Sequence, residues 1–341
     1  MRVPFLDLAR ENGVLALPLT AAVRRVLDSG RVLMGPEVEA FEAELAAWFG
    51  VAHAVGVASG TDAVEIALRA TEAAEEGPLR VTAFTAVPTI NAMEAAGCDP
   101  VLVDVNAGTR NAFGNPLEVS LYGLTGPVYG CEVEDIAHSM GAEYDGHKAG
   151  TMGDAGAVSF YPSKILGACG DGGAIITNDP IIAARARGIR HYGGLAQGDV
   201  TTRGQNSRLS EMQAAILRVK LPHVDGWIAR RREIAARYSA ELAGCVTVPT
   251  EPTGCKAVYH VYVIEHPERD RLKAALEAKG VGTMVHYPKA IHEHTRWRHL
   301  GAPGQFPVAE RLARTVLSLP CYPYLTDAEQ DAVIAAVKAA A

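Results

Sequence analysis

The stretch GAVSFYPSKILGACGDGGAIITN, residues 156–178, sets one lysine in a turn between two apolar runs. GAVSFY (156–161) and GAIITN (173–178) each read as a buried β-strand. The segment between them carries little side-chain bulk. A lysine delivered there is partly desolvated, which lowers its pKa and frees its amine as a nucleophile. Small neighbours leave room for a planar ligand against the backbone. The competing reading is a lysine that snorkels from a loop into water, the commoner fate of a lone lysine.

Working outward, strands alternate with helices. PEVEAFEAELAAWFG (36–50) has Pro36 at its start, Val38, Phe41, Leu45 and Trp48 at helical spacing, and Gly50 as a cap. VAHAVGVAS (51–59) reads as a buried strand and SGTDAVEIALRA (59–70) as the helix that follows it. Further β-like runs fall at 80–83, 100–105 and 118–122, with helical stretches at 89–97 and 180–188. This alternation predicts an α/β domain with a mostly parallel sheet. From Glu211 one long helical stretch runs to about residue 244, with kinks expected at Pro222 and Gly226. A strand at 258–266, a helix at 268–280 and a closing helix then predict a smaller α+β domain. The expected division is 1–229 and 230–341, with the N-terminal segment free to pack on the smaller unit.

Composition narrows the function. With 341 residues, 48% hydrophobic and 21% charged, the chain has a globular make-up, and its length favours two cores over one. A net charge of -7 argues against sequence-blind nucleic-acid binding, which needs a basic face. Six scattered cysteines without a CxxC pair suit reduced thiols. No apolar N-terminal leader and no run of eighteen apolar residues is present, so a cytoplasmic protein is expected. No metal is expected.

Two further segments carry chemistry. SGT (59–61) lies where a strand gives way to a helix, and unpaired N–H groups there suit a phosphate, with hydroxyls from Ser59 and Thr61. The plainer alternative is an N-cap. EVEDIAHSMGA (132–142) offers Asp135 at a strand end, able to pair with a cationic ring, and His138 three residues on. Alone, each also reads as a solvated loop carboxylate and a hydrogen-bonded structural histidine. Taken together, a phosphate cradle, a carboxylate and a buried lysine on an α/β domain are what pyridoxal phosphate (PLP) requires.

These motifs resemble the DegT/DnrJ/EryC1/StrS family, nucleotide-sugar aminotransferases of the fold type I, aspartate aminotransferase class. The similarity runs through VPFLDL (3–8), SGRVLMGPEVEAFE (29–42), SGTDAV, EDIAHSMGA and the Lys164 block. It continues in GQNSRLSEMQAAIL (204–217), VHYPKAIH (285–292) and FPVAERLARTVLSLPCYP (306–323). It implies that Lys164 bonds the cofactor, that Asp135 partners the pyridinium nitrogen and that His138 contacts the ring hydroxyl. Ser59, Gly60, Thr61 and Ser159 fall at phosphate positions. Asn206 matches an asparagine that reaches the phosphate from a second subunit, implying a homodimer with shared sites. Met34, with Gly35 and Pro36, and His286, Tyr287 and His292 fall where substrate is met. The implied reaction moves an amino group from an amino-acid donor, L-glutamate, to a keto group of a nucleotide-linked sugar. A keto-cyclitol or amino-shikimate-type acceptor, and a regulatory relative without turnover, are the rival readings.

Two departures from the family stand out. Where the family stacks an aromatic residue on the ring, TAVPTINAM (85–93) has Ala86, and Phe84 should point to another face. About 27 residues separate Asp104 from Cys131, so helices that flank the SLYGLTGP segment in the family look trimmed or lost.

Overall fold

A computed structural model of the chain describes residues 1–75, 77–128, 130–194 and 198–341. Its centre is a five-stranded sheet. The strand order is His53–Val57, Gly173–Thr177, Ala155–Ser159, Val133–Asp135, Leu117–Val119. Gly173–Thr177 pairs antiparallel with both neighbours, and the other four run one way. A parallel pair, Leu79–Thr82 with Pro100–Val103, lies beyond. The mostly parallel sheet is therefore interrupted by one reversed strand, entered directly from the turn that carries Lys164.

Side chains on these strands alternate between two apolar cores, as the period of two requires. Val55, Val57, Ala157 and Ile175 feed one face, with Ile66 and Leu68 of the Gly60–Ala70 helix. Ala54, Val158 and Ile176 feed the other, with Phe41, Phe49 and Phe160. The first core also takes in Val261, Val263, Ile291 and Phe306 from the C-terminal part. A third apolar cluster joins Val3 to Ile234, Tyr238, Leu272 and Val333, around the antiparallel pair Tyr262–Glu265 and Val316–Leu319.

The expected long helix is two. Glu211–Lys220 ends at a 3-10 turn, Leu221–His223, which contains Pro222, and Val224–Leu242 follows. Gly226 lies inside the second helix and makes no kink, because nothing there breaks the backbone ladder. Between Ala96 and Pro180 the described residues contain no α-helix. Parallel strands Leu117–Val119 and Val133–Asp135 are joined without the helical crossover usual for such a pair. The loop before them is instead tied to the C-terminal part. Asp104 accepts from the N–H groups of Val308 and Ala309, both at 2.9 Å, and buried Arg110 pairs with Glu265 at 2.9 Å.

Candidate active site

The strand directions bring the functional side chains together. Ser59 follows His53–Val57, Asp135 ends its strand, and Ser159 ends Ala155–Ser159. These three strands run parallel to one another, so all three residues stand at one edge of the sheet, where open α/β sheets bind ligands. A cavity of about 320 Å³ opens there, lined by Ser59, Gly60, Thr61, Asp135, His138, Ser159 and Lys164. Ala86, Thr89, Tyr161 and Tyr287 complete much of its wall.

Lys164 sits in a turn whose N–H bonds back to the Tyr161 carbonyl at 2.8 Å. It is half-buried because one side opens to the cavity. Burial lowers its pKa to about 8, and the negative charge of Asp135 limits the fall. Among the described residues its amine forms no ion pair. Asp135 is nine-tenths buried or more, which pushes its carboxyl upward; a hydrogen bond from Thr89 Oγ1 (2.8 Å) and one from the Ala137 N–H (3.1 Å) hold it down. Burial raises the Asp135 pKa overall, and a cationic ring nitrogen in the cavity would be a suitable partner for its ionised form.

His138 is held neutral by burial and by the Lys164 charge. Its Nδ1 accepts from the Tyr122 N–H at 3.4 Å, which places the ring proton on Nε2. Ser59 Oγ accepts from the Asp62 N–H at 3.1 Å, so the N-cap reading of SGT holds. Gly60 and Thr61, the next residues of that helix, line the cavity where its first N–H groups lack intrahelical partners. A Cβ on Gly60 would stand 2.5 Å from that of Ser159, so no other residue fits there.

The small residues near Lys164 serve the backbone more than a ligand. A Cβ at Gly167 would meet the Pro162 carbonyl at 2.3 Å, and one at Gly173 the Ser59 carbonyl at 2.3 Å. They let the turn fold on itself and the reversed strand pass close to the helix start. Ala86 does line the cavity. Phe84 is fully buried, edge-on to Tyr287 with ring centroids 6.4 Å apart, and is not part of the wall. Tyr287 is the aromatic that reaches the site from the VHYPKAIH segment.

Other expected residues lie elsewhere. His286 lines a neighbouring cavity, with Nδ1 2.8 Å from Ser318 Oγ; burial and Lys164 lower its pKa to about 4. His292 reaches neither cavity: it is buried, its Nε2 3.1 Å from Glu310 and its ring edge-on to Phe306, as packing of the segment dictates. Met34 is also outside both walls. It lies on the turn before the helix Pro36–Phe49, whose N–H groups at Gly35, Glu37 and Val38 all donate to the Glu211 carboxylate at 2.8–3.1 Å. Asn206 is exposed and away from the cavity of its own chain, its Oδ1 accepting from Arg208 Nε at 3.1 Å.

Thr89, which holds Asp135, was not found by reading the sequence. Its signal was the hydroxyl on the first turn after Pro88, in a segment read only for its missing aromatic.

Residues 18–118 and 131–338 match the DegT/DnrJ/EryC1/StrS aminotransferase family. The chain belongs to it. Similar proteins include the erythromycin biosynthesis sensory transduction protein EryC1 of Saccharopolyspora erythraea, 41% identical over the whole of both chains. The dTDP-3-amino-3,4,6-trideoxy-α-D-glucose transaminase of Streptomyces venezuelae is 39% identical, covering 99% of this chain and 96% of its own. The UDP-N-acetyl-3-dehydro-α-D-glucosamine 3-aminotransferase of Acidithiobacillus ferrooxidans is 38% identical over 98% and 96%. Among solved structures, DesV of S. venezuelae in complex with a ketimine intermediate superposes with a TM-score of 0.93 at 39% identity, covering 99% and 98%. NtdA of Bacillus subtilis with bound cofactor PMP gives 0.86 at 27%, covering 98% and 84%. The EryC1 comparison spans 366 positions against a chain of 341, so at least 25 positions (366 − 341) are missing from this chain relative to that protein. No helix of the described residues is long and apolar enough to cross a membrane.

Proposed function

We propose that this aminotransferase uses pyridoxal phosphate at the Lys164 cavity to move an amino group onto the 3-keto group of a nucleotide-linked sugar. The observation that carries the reading is one wall holding a weakly basic lysine, a buried carboxyl group and an open helix start. When bound, the cofactor supplies an electron sink. Lys164 would bond its aldehyde and, once released, carry the proton between neighbouring carbons as base and then acid. Asp135, steadied by Thr89, would keep a proton on the ring nitrogen, and the His138 Nε2–H would face the ring hydroxyl. Gly60 and Thr61 N–H groups, with Ser59 and Ser159, would grip the phosphate. Tyr287 and Ala86 would bound the ring, with Tyr287 standing in for the absent aromatic.

Several named relatives support carbon 3, since the S. venezuelae and A. ferrooxidans enzymes both concern a 3-amino or 3-dehydro sugar. They differ in nucleotide, so both dTDP and UDP sugars are candidates. L-Glutamate is the proposed donor, in two alternating half-reactions, and the exposed Asn206 is the residue proposed to reach the phosphate of a partner subunit. The name of the 41% relative favours a second reading, a regulator without turnover. One experiment separates them. Holoenzyme charged with amine from L-glutamate is offered a panel of 3-keto dTDP- and UDP-sugars, and recovery of the cofactor's visible absorbance is followed. Recovery with at least one sugar is expected. A colourless protein with no lysine fixed by borohydride would support the regulator.

A further inference from the structure

A second cavity, of about 380 Å³, shares a wall with the first: Tyr161 lines both, and Ser163, next to Lys164, lines the second. It also contains Arg231, from the interior of the helix Val224–Leu242. This arginine is 3% exposed. Its Nη1 donates to the carbonyls of His260 (3.1 Å), Tyr259 (3.5 Å) and Cys321, while its Nε has no partner among the described residues. It forms no ion pair among the described residues. Other buried cations do: Arg110 with Glu265, Arg190 with Glu42, Lys220 with Glu11. A guanidinium cannot shed its charge in a protein, and an unpaired buried charge is costly.

The carboxylate acting on Arg231, Glu11, lies outside the cavity wall and is already in contact with Lys220. Among the described residues no carboxylate lines the wall, and Phe5 and Leu6 give it an apolar side. His260 and His286 are both held neutral by burial and nearby positive charge. Among the described residues His260 Nδ1 has no partner, and its ring lies 4.5 Å from that of His138 in the first cavity. The turn at Gly123 fixes this link, since a Cβ there would stand 2.8 Å from the His260 N. The site thus has one full positive charge, one spare imidazole nitrogen and an apolar wall, beside the lysine.

We infer that Arg231 is the seat of a carboxylate of the amino donor, whose carbon chain lies along the apolar wall and whose amino group faces the Lys164 cavity. This rests on the aminotransferase reading. One cation matches one carboxylate, whereas the diphosphate of a nucleotide sugar carries more charge than the site can answer.

The test uses the holoenzyme, with Arg231→Met and Arg231→Lys, the latter retaining the charge should the former not fold. Glutarate, a dicarboxylate that cannot donate an amine, is titrated calorimetrically. Half-saturation is then measured separately for L-glutamate and for the keto sugar nucleotide. Arg231→Met should weaken glutarate and L-glutamate by about 30-fold, and Arg231→Lys by about 10-fold. The sugar nucleotide should change by less than about 3-fold. Unchanged glutamate saturation in a folded variant overturns the seat, as does an equal loss toward the sugar nucleotide. Wild-type protein that takes amine from no amino acid would overturn the function instead, and glutarate binding would still report on Arg231.

Discussion

Lys164 and Lys220 are both withdrawn from water, in different regions of the protein and to different ends. Lys220, at the end of the helix Glu211–Lys220, is 1% exposed, and its amine lies 3.0 Å from Glu11. Lys164 borders an open cavity, has no ion-pair partner among the described residues and has its pKa lowered to about 8. Burial alone does not make an amine reactive. What differs is that Lys220 has its counter-charge in contact, while Lys164 has space beside it and its carboxylate set back at Asp135.

The largest effect should come from Lys164→Ala. Turnover falls to background and borohydride fixes no cofactor to the chain, while the melting temperature stays near that of wild type; an active variant would end the distinction between the two lysines. Asp135→Asn should slow turnover by about a thousandfold. It should also move a pH profile. To bond the cofactor as proposed, Lys164 would have to lose its proton, so uptake by apoprotein should rise with pH through about 8 and level off above it. The Asp135 charge raises that pKa, so asparagine shifts the rise to lower pH. Uptake that is flat between about pH 7 and 9 would mean that another group controls it. The smallest functional effect belongs to Lys220→Met, which should leave cofactor uptake intact and cost about 3 kcal/mol in chemical denaturation by stranding Glu11. Full stability in that variant would show that the pair contributes little.

Local signals in the chain revealed the elements and several of the residues that line the first cavity. Lys164 stands between two apolar runs, Ser59 opens a helix with Ala63, Val64, Ile66 and Ala67 on its buried side, and Asp135 ends a strand. What depends on distant pairing was hidden. Nothing in GAIITN says that it runs against its neighbours, because both directions bury the same alternating side chains. Three consecutive arginines, 230 to 232, carry no local signal that tells them apart, yet each has its own surroundings: Arg230 pairs with Asp327, Arg232 with Glu251, and Arg231 points inward. His292 belonged to the right segment, but the fold turns it toward Glu310.

The Glu211 carboxylate has a consequence of its own. It occupies the start of the helix Pro36–Phe49 completely, so that end of the molecule offers anions no foothold. The start at Gly60 is left for a visitor. On the proposed reading, selectivity for a single phosphate would depend as much on the door that is shut as on the one that is open.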